Sequence, residues 1–456
     1  MLRLLLIVLC SLPWPLLGQT TDNDSPLYTS YTEHHPLLTP DGRVIYFSRK
    51  GHPQNIGTRD EDDIWFSILQ ADGQWQRPVN AGAPLNTPYA DAVVAVGPGG
   101  AWLLRFQTGR STPPEIIYRD GRGWRQGGSL TVEGIDDWQK VTSCHLGVLG
   151  QVLLLAMETT DQAVDLYYAL RTAEESWSQP QPLGTSLNTP ASEVNPVLAA
   201  DGRTLYFASN RRGGQGGYDL WMSRRLGDSW SNWSDPINLG PEINSSQDDL
   251  YLTLAAAGET ILTAPVREDG QRDLVSHTLP ETLRPEAVTL VTGHCRSTDG
   301  KKAATSLLLR EWNGASGTTQ MTLAPDGSYS LAIPPQVNLH ISALAPGFFS
   351  ESALLANLPV EEPLDNDPGH ALAGAELSAD YYQRNAEISL LQQQLAKVDD
   401  ELIKMQAQHL SHLAKIRKAP QQASSILQPA SDPRWLDLSQ RYEEQLAQHQ
   451  VTIPTE

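Results

Sequence analysis

Four acidic residues, Glu33, Asp91, Glu193 and Asp249, recur in this chain at intervals of roughly fifty residues or twice that. Carboxylates held close together raise each other's pKa, carry out acid–base catalysis or bind a hard cation such as Ca²⁺. Two carboxylates are also the usual machinery of glycoside hydrolysis. The alternative is that an acidic residue present in most copies of a repeat forms local hydrogen bonds that serve the repeating unit. The spacing makes these residues the candidate site and favours the structural alternative.

A second acidic cluster has the sequence RDEDD and covers residues 59–63. Asp60, Glu61 and Asp62 carry the oxygen ligands that Ca²⁺ prefers, although a solvated turn is the more common role of such a segment. The chain contains no Walker-type loop, GxSxG, HExxH or CxxC motif. We therefore predict no catalytic residues and no cofactor, with Ca²⁺ as the one ion that these acidic residues suit.

The four acidic residues belong to a repeating unit. Five copies share an acidic residue followed by two apolar ones, at Asp63-Ile64-Trp65, Glu115-Ile116-Ile117, Asp165-Leu166-Tyr167, Asp219-Leu220-Trp221 and Asp273-Leu274-Val275. Each is preceded by a turn and a β-rich run, such as Asp41-Gly42 before RVIYF and Asp201-Gly202 before RTLYF. Asp-Gly between apolar runs is a strong hairpin signal. We interpret Asp41, Gly42, Asp63, Trp65, Asp201, Gly202, Asp219 and Trp221 as structural residues of the repeat.

Each unit is long enough for about four short strands, which is one blade of a β-propeller. A blade buries both faces only against neighbouring blades, so five units predict a closed five-bladed ring. The segment SPLYTSYTE resembles the connectors APLNTPYAD and GTSLNTPASE. We expect this segment to help close the ring; the alternative is a tail that leads into the first blade. The four acidic residues would then lie at the start of inner strands, around one mouth of the central channel, with Val141 at this position in the third copy.

The repeats resemble the PD40 family, the TolB-like relatives of WD40 repeats. The resemblance covers about residues 30–280 and depends mainly on the first and fourth copies. The matching residues are Pro36, Asp41, Gly42, Tyr46, Phe47 and Ser48, and then Pro196, Asp201, Gly202, Tyr206, Phe207, Ser209, Asn210, Gly213, Gly214 and Gly217. We assign the propeller to residues 19–285.

The N-terminus reads as a secretory signal over residues 1–18, because a basic Arg3 precedes an apolar stretch and then polar residues. The formal charge of −20 argues against a nucleic-acid partner, which needs a basic surface. No later segment has the length and hydrophobicity of a membrane span. We therefore expect an exported protein, located in the periplasm, at the outer membrane or outside the cell.

Residues 290–358 show alternating strands divided by Asp299-Gly300 and Asp326-Gly327. With Gly293, Tyr329, Leu331, Pro334, Gly347 and Phe348, they resemble a carboxypeptidase regulatory-like domain. This resemblance implies a small prealbumin-like β-sandwich that spaces or binds rather than catalyses.

A linker at residues 359–377 precedes a helical segment at 378–450. The stripe of Ile388, Leu391, Leu395, Val398, Leu402 and Met405 has the 3-4 spacing of a coiled-coil seam in a helix over 378–418. A second stripe, at Trp435, Leu438, Tyr442 and Leu446, makes an antiparallel hairpin the equal alternative to self-association.

The fold prediction is thus mostly β: a five-bladed propeller, a small sandwich and a helical hairpin or coiled coil. The order of propeller and sandwich resembles periplasmic proteins of Bacteroidota, some of which serve type IX secretion, although no OmpA-like domain follows here. The leading hypothesis is a non-enzymatic envelope scaffold whose propeller face docks protein partners, including secretion-machine subunits. The alternative is a carbohydrate-active, glycosidase-like enzyme that uses the acidic residues around the channel.

Overall fold

A computed structural model describes residues 2–8, 25–56, 62–70, 72–107, 109–120, 123–173, 175–297, 306–311, 319–323, 325–334, 339–344 and 351–355. The predicted linker at 359–377 and the helical segment at 378–450, with its 378–418 helix, lie outside the described residues, as do Asp60 and Glu61. Among the residues described, no helix has the length and hydrophobicity needed to cross a membrane.

Five sheets follow one another along the chain, and each runs from an inner strand to an outer edge. Their strands are antiparallel except for the parallel pair Thr131–Val132 and Ser176–Trp177 in the third sheet. Blade 1 contains Thr32–Leu38, Val44–Lys50, Asp62–Ile68 and Val79–Asn80. Blade 2 contains Ala92–Val96, Trp102–Phe106, Glu115–Asp120 and Gly123–Ser129. Blade 3 contains Val141–Leu146, Val152–Glu158, Val164–Ala173 and Gln181–Pro182, with Thr131–Val132 and Ser176–Trp177 alongside. Blade 4 contains Glu193–Leu198, Thr204–Ser209, Asp219–Arg224 and Ile237–Asn238, and blade 5 contains Leu252–Leu254, Thr260–Thr263 and Val275–Thr278.

The second strand of each blade has an apolar central part because both of its faces are buried there. Successive side chains of a strand point to opposite faces. Tyr46 therefore packs towards blade 2, whereas Ile45 and Phe47 pack towards blade 5. Tyr206 likewise faces blade 5 while Leu205 and Phe207 face blade 3.

The apolar contacts form five separate cores, one between each pair of neighbouring blades. The core between the last and the first blade joins Leu262 and Leu274 to Ile45 and Phe47. This contact closes the ring, which confirms the predicted five-bladed propeller.

The N-terminal segment takes part in that closure. Leu27 is buried in the core between blades 5 and 1 and corresponds to Leu85, Leu187 and Ile243, which are buried at three other blade junctions. Thr29 accepts a hydrogen bond from Arg267 at its carbonyl, and Glu33 donates its backbone N–H to the Arg272 carbonyl of blade 5. The segment thus makes the contacts of an inter-blade connector.

The repeat residues predicted to be structural form the turns and strand junctions. Asp41 and Asp201 accept hydrogen bonds from the backbone two residues further on, and Gly42 and Gly202 have φ of 63° and 65°. Asp63 and Asp219 accept from the outer-strand side chains Asn80 and Asn238. Trp65 and Trp221 are buried beneath the guanidinium groups of Arg49 and Arg211.

Two further sheets share one core beyond the propeller. One contains Leu2–Val8, Thr289–Ser297 and Ser328–Ile333, and the other contains Thr319–Thr322, Ser306–Glu311, Leu339–Leu344 and Glu351–Leu355. Residues from both sheets pack together, among them Val291, Leu307, Leu331 and Ile341. We refer to this pair of sheets as the sandwich; the signal sequence assigned to residues 1–18 stays a prediction.

The sandwich contacts the turns of blades 2 and 3. These turns are the short 3-10 helices Pro98–Gly100 and Val148–Gly150. Gly99 and Leu149 occupy the position that is Asp41 in blade 1 and Asp201 in blade 4, and both have positive φ, 59° and 63°. Leu149 packs against the sandwich core, and a Cβ on Gly99 would lie 2.7 Å from the Ser328 carbonyl oxygen. The repeat therefore departs from its consensus where it meets the sandwich.

The linker from the propeller to the sandwich is bound to blade 4. It includes the 3-10 helix Glu281–Leu283. Tyr206 donates its hydroxyl to the Leu283 carbonyl at 2.6 Å, and Arg224 donates to the Arg284 carbonyl. Asp201 accepts the backbone N–H of Glu286 at 2.9 Å.

Candidate functional site

The antiparallel order of the strands gives the propeller two different ends. Inner strands begin at one end, where the inter-blade connectors and the loops between second and third strands also lie; we call this the connector end. The hairpin turns and the sandwich lie at the other end, which we call the sandwich end.

The four predicted acidic residues are buried at the start of inner strands. Their side chains accept hydrogen bonds from a hydroxyl four residues earlier: Thr29 to Glu33 at 2.6 Å, Thr87 to Asp91 at 2.9 Å, Thr189 to Glu193 at 2.8 Å and Ser245 to Asp249 at 3.0 Å. The backbone N–H groups of Thr87, Thr189 and Ser245 donate to the same carboxylates. Each acidic residue thus fixes the connector of its own blade.

Arginines provide the counter-charge for three of these carboxylates. Arg49 Nε lies 2.8 Å from Glu33, Arg211 Nη2 lies 3.2 Å from Glu193, and Arg105 Nε lies 3.7 Å from Asp91. Burial nevertheless raises the pKa of all four groups, to about 7 for Glu33 and about 6 for Asp91. None of the four lines either cavity described below, and a functional role for this ring stays a prediction.

The calcium prediction has little structural support in the described part of the chain. Asp62 lies in the third strand of blade 1, where its Oδ1 is 3.2 Å from His34 Nε2. Among the described residues, no group of three His, Cys, Asp or Glu side chains is arranged to hold a metal ion.

A different ring of residues lines the channel near the connector end. It lies two positions after each acidic residue, and after Val141 in blade 3, and consists of His35, Val93, Ser143, Asn195 and Tyr251. We call it the polar ring, because every member except Val93 is polar. These side chains surround a cavity of about 60 Å³. The register of four of the inner strands shifts near this position, which indicates β-bulges.

Two members of this polar ring have strained backbones. His35 and Asn195 have φ of 48° and 50°, a region that residues other than glycine seldom adopt, and each precedes a proline. Asn195 is held by a hydrogen bond from its side-chain amide to the Leu250 carbonyl at 2.9 Å, and Ser143 Oγ accepts its backbone N–H at 3.0 Å. Strained residues of this kind concentrate at functional sites.

Within the inner strand of blade 1, His34 contacts the ring residue His35. His34 Nδ1 and His35 Nδ1 form a hydrogen bond of 2.6 Å, and the His35 ring packs on Tyr251 with centroids 4.5 Å apart. Burial lowers the pKa of His35 to about 3, so its ring is neutral. The sequence analysis did not single out these residues, although their constant offset from the acidic position was a signal that could have found them.

Comparison with known proteins assigns the chain to no family. No protein-family model and no curated protein matches the chain; the PD40, regulatory-domain and type IX resemblances therefore stay predictions. Similar solved structures include a glycosyl hydrolase from Bacteroides ovatus, with 9% identity, coverage of 57% of this chain and 87% of the other, and a TM-score of 0.38. Another is an endo-arabinase from Bacteroides thetaiotaomicron, with 12% identity, coverage of 55% and 95%, and a TM-score of 0.38. A protein described as TolB from Agrobacterium tumefaciens has 15% identity, coverage of 67% and 92%, and a TM-score of 0.29.

These comparisons correct one prediction. The sequence led us to expect a protein that is not an enzyme. That prediction was wrong, because the similar structures include glycoside hydrolases. At these identities and TM-scores the likeness assigns no reaction to this chain.

Proposed function

We propose that this protein is a cell-envelope binding protein that docks a protein partner on the connector end of its propeller. The observation that carries the proposal is a pair of exposed tyrosines in that end, each covered by an arginine. Tyr28 and Tyr89 are 41% and 44% exposed although both are large aromatic residues.

The two tyrosines lie in the connectors that precede the inner strands of blades 1 and 2, Tyr28 five residues before Glu33 and Tyr89 two residues before Asp91. Arg267 lies over Tyr28 at 5.4 Å, and Arg110 lies over Tyr89 at 4.0 Å. Tyrosine and arginine are enriched among the residues that carry most of the binding energy of protein interfaces. A cation–π contact already formed in the free protein lowers the entropy lost when these side chains become immobile on binding.

The polar ring lies at the centre of the same end. Its neutral hydrogen-bonding groups on Ser143, Asn195 and Tyr251 suit one uncharged polar side chain of a partner, because the cavity of about 60 Å³ is small. The predicted export, the type IX-like assembly and self-association through 378–418 remain parts of this proposal that the described residues do not address.

The test is recovery of partners from the native envelope by the full-length tagged protein, with quantitative mass spectrometry. Tyr89→Ala should reduce recovery of a specific partner at least about tenfold, as for a central interface residue. The matched control is Ile237→Ala, because Ile237 is 50% exposed but lies on the outer strand of blade 4. Equal recovery by the two variants would place the interface elsewhere.

A second candidate function, a carbohydrate-active enzyme, is favoured by the raised pKa values of Glu33 and Asp91. A carboxylic acid that is still protonated near pH 6–7 can donate a proton to a leaving group. The purified protein would be incubated with a panel of polysaccharides, and released sugars would be measured. Activity that is abolished by Glu33→Gln or Asp91→Asn, in variants that are at least as stable as the wild type, would establish the enzyme; activity that survives both would exclude these acids as catalysts.

A further inference from the structure

A larger cavity of about 160 Å³ lies at the sandwich end of the channel. All five blades contribute to its wall through the ends of their inner strands, for example Leu37, Val96, Leu146, Val197 and Leu254. The sandwich completes the wall with Thr322 and with Ser330, Leu331 and Ala332. The site therefore depends on both domains and is distinct from the polar ring at the connector end.

The lining of this cavity is mainly apolar and includes one basic and one acidic residue, Arg171 and Glu175. An apolar protein cavity of about 150 Å³ holds a molecule of the size of benzene. His145 borders both cavities, and because burial lowers its pKa to about 4 it contributes an uncharged ring. An apolar body of six or seven heavy atoms, roughly, matches the volume by the same comparison.

Two residues of the wall carry buried polar atoms without a hydrogen-bond partner among the described residues, Trp177 Nε1 and Ser330 Oγ. Trp177 is 4% exposed and Ser330 is 7% exposed, so neither side chain reaches bulk solvent to an appreciable extent. A buried donor without a partner costs free energy, typically about 1–3 kcal/mol. One comes from blade 3 and the other from the sandwich, and a molecule with an acceptor oxygen can satisfy an indole N–H or a hydroxyl.

We propose that this cavity binds a compact, uncharged, mainly apolar molecule with one hydrogen-bond acceptor, such as a cyclic ketone, between the propeller and the sandwich. The apolar wall takes the carbon skeleton, and the Trp177 indole N–H and the Ser330 hydroxyl take the acceptor. This site is independent of partner docking at the connector end.

The experiment uses the full chain and two probes with equal numbers of heavy atoms, cyclohexanone and methylcyclohexane. Thermal denaturation should show a saturable rise of a few degrees with cyclohexanone at about 100 times its Kd. Trp177→Phe and Ser330→Ala each remove one donor and keep most of the shape. Each should weaken cyclohexanone about two- to tenfold and leave methylcyclohexane unchanged, because only the ketone accepts a hydrogen bond.

A filling variant tests the location. Ala255→Leu adds volume inside the wall, whereas Ala257→Leu adds the same volume two residues away at an exposed position. Binding should be lost in the first variant and kept in the second. In protein with ¹⁵N-labelled tryptophan, the indole signal that is absent in Trp177→Phe should move when cyclohexanone is added to the wild type.

Three results would overturn the proposal: no saturable shift with cyclohexanone, a shift that persists in Ala255→Leu, or equal effects of the donor variants on both probes. The last result would show that water or the protein itself satisfies the two donors.

Discussion

The contact between the sandwich and the blade 2 turn is best tested at Gly99. In Gly99→Ala the new methyl group would lie 2.7 Å from the Ser328 carbonyl oxygen and 3.1 Å from its carbonyl carbon. Both atoms belong to the backbone of a sandwich strand, so relief requires the whole strand to move. The new residue must also adopt a φ of 59°.

A neighbouring glycine separates the free-energy cost of the close contact from that of the positive φ. A positive φ costs an L-residue about 1–2 kcal/mol, and forcing extra volume into a packed contact costs about 1–3 kcal/mol more. Gly100 has a φ of 70°, but its Cβ would meet only the end of the Arg119 side chain at 4.0 Å. Gly100→Ala should therefore incur only the cost of the positive φ. The two variants should differ in free energy by about 1–3 kcal/mol, and this difference measures the contact between Gly99 and the sandwich.

Cleavage by a Glu-specific protease after Glu286 provides the assay. Glu286 is exposed, but its backbone N–H is bound to Asp201 while the linker is in place. When opening is fast relative to cleavage, the cleavage rate follows the population of the open form. A difference of 1–3 kcal/mol therefore predicts about 5- to 150-fold faster cleavage in Gly99→Ala than in Gly100→Ala. Equal rates in the two variants would refute the close approach of Gly99 to Ser328.

Three further predictions concern the propeller. Leu27→Ala should destabilise the protein by about 2–5 kcal/mol, similarly to Leu85→Ala, because both leucines fill blade junctions; a cost below about 0.5 kcal/mol in denaturant unfolding would mean that the segment is only a tail. Asn188→Ala should cost about 2–4 kcal/mol, since its amide bonds both the N–H and the carbonyl of buried Leu166; an unchanged unfolding midpoint would contradict this. Burial raises the pKa of Asp91 to about 6 from 3.8, so the stability that its protonated form contributes is present below about pH 4 and declines as the pH rises through 6. Between pH 4 and pH 7 the free energy of unfolding of the wild type should therefore fall by about 3 kcal/mol relative to that of Asp91→Asn. A difference between the two proteins that is the same at both pH values would show that burial does not destabilise the carboxylate.

The sequence predicts the residues that form each blade better than it predicts the residues that line the channel. The acidic positions, the Asp-Gly turns and the apolar second strands are local features of the repeat, and each recurs because every blade needs the same connector, hairpin and buried strand. The closed ring followed from them, since a blade with two apolar faces requires neighbours on both sides. The offset of the candidate binding residues from the acidic positions could be read from the sequence, but only the register of the inner strands shows that their side chains face the channel. The bulges turn His35, Ser143 and Asn195 towards the channel, and their residue types share no pattern along the chain.

By itself the sequence determined the repeating blade, its five copies and the identity of the residues that fix each turn, because those choices depend on neighbours only a few positions apart. The tertiary structure explains why the copies in blades 2 and 3 depart from the repeat. Gly99 and Leu149 replace the aspartate of the consensus turn where the sandwich approaches, and Trp177 and Ser330 meet at one cavity although more than 150 residues separate them. Contacts between such distant segments have no local signature, since their free energy depends on the approach of two folded surfaces and not on the propensity of either segment.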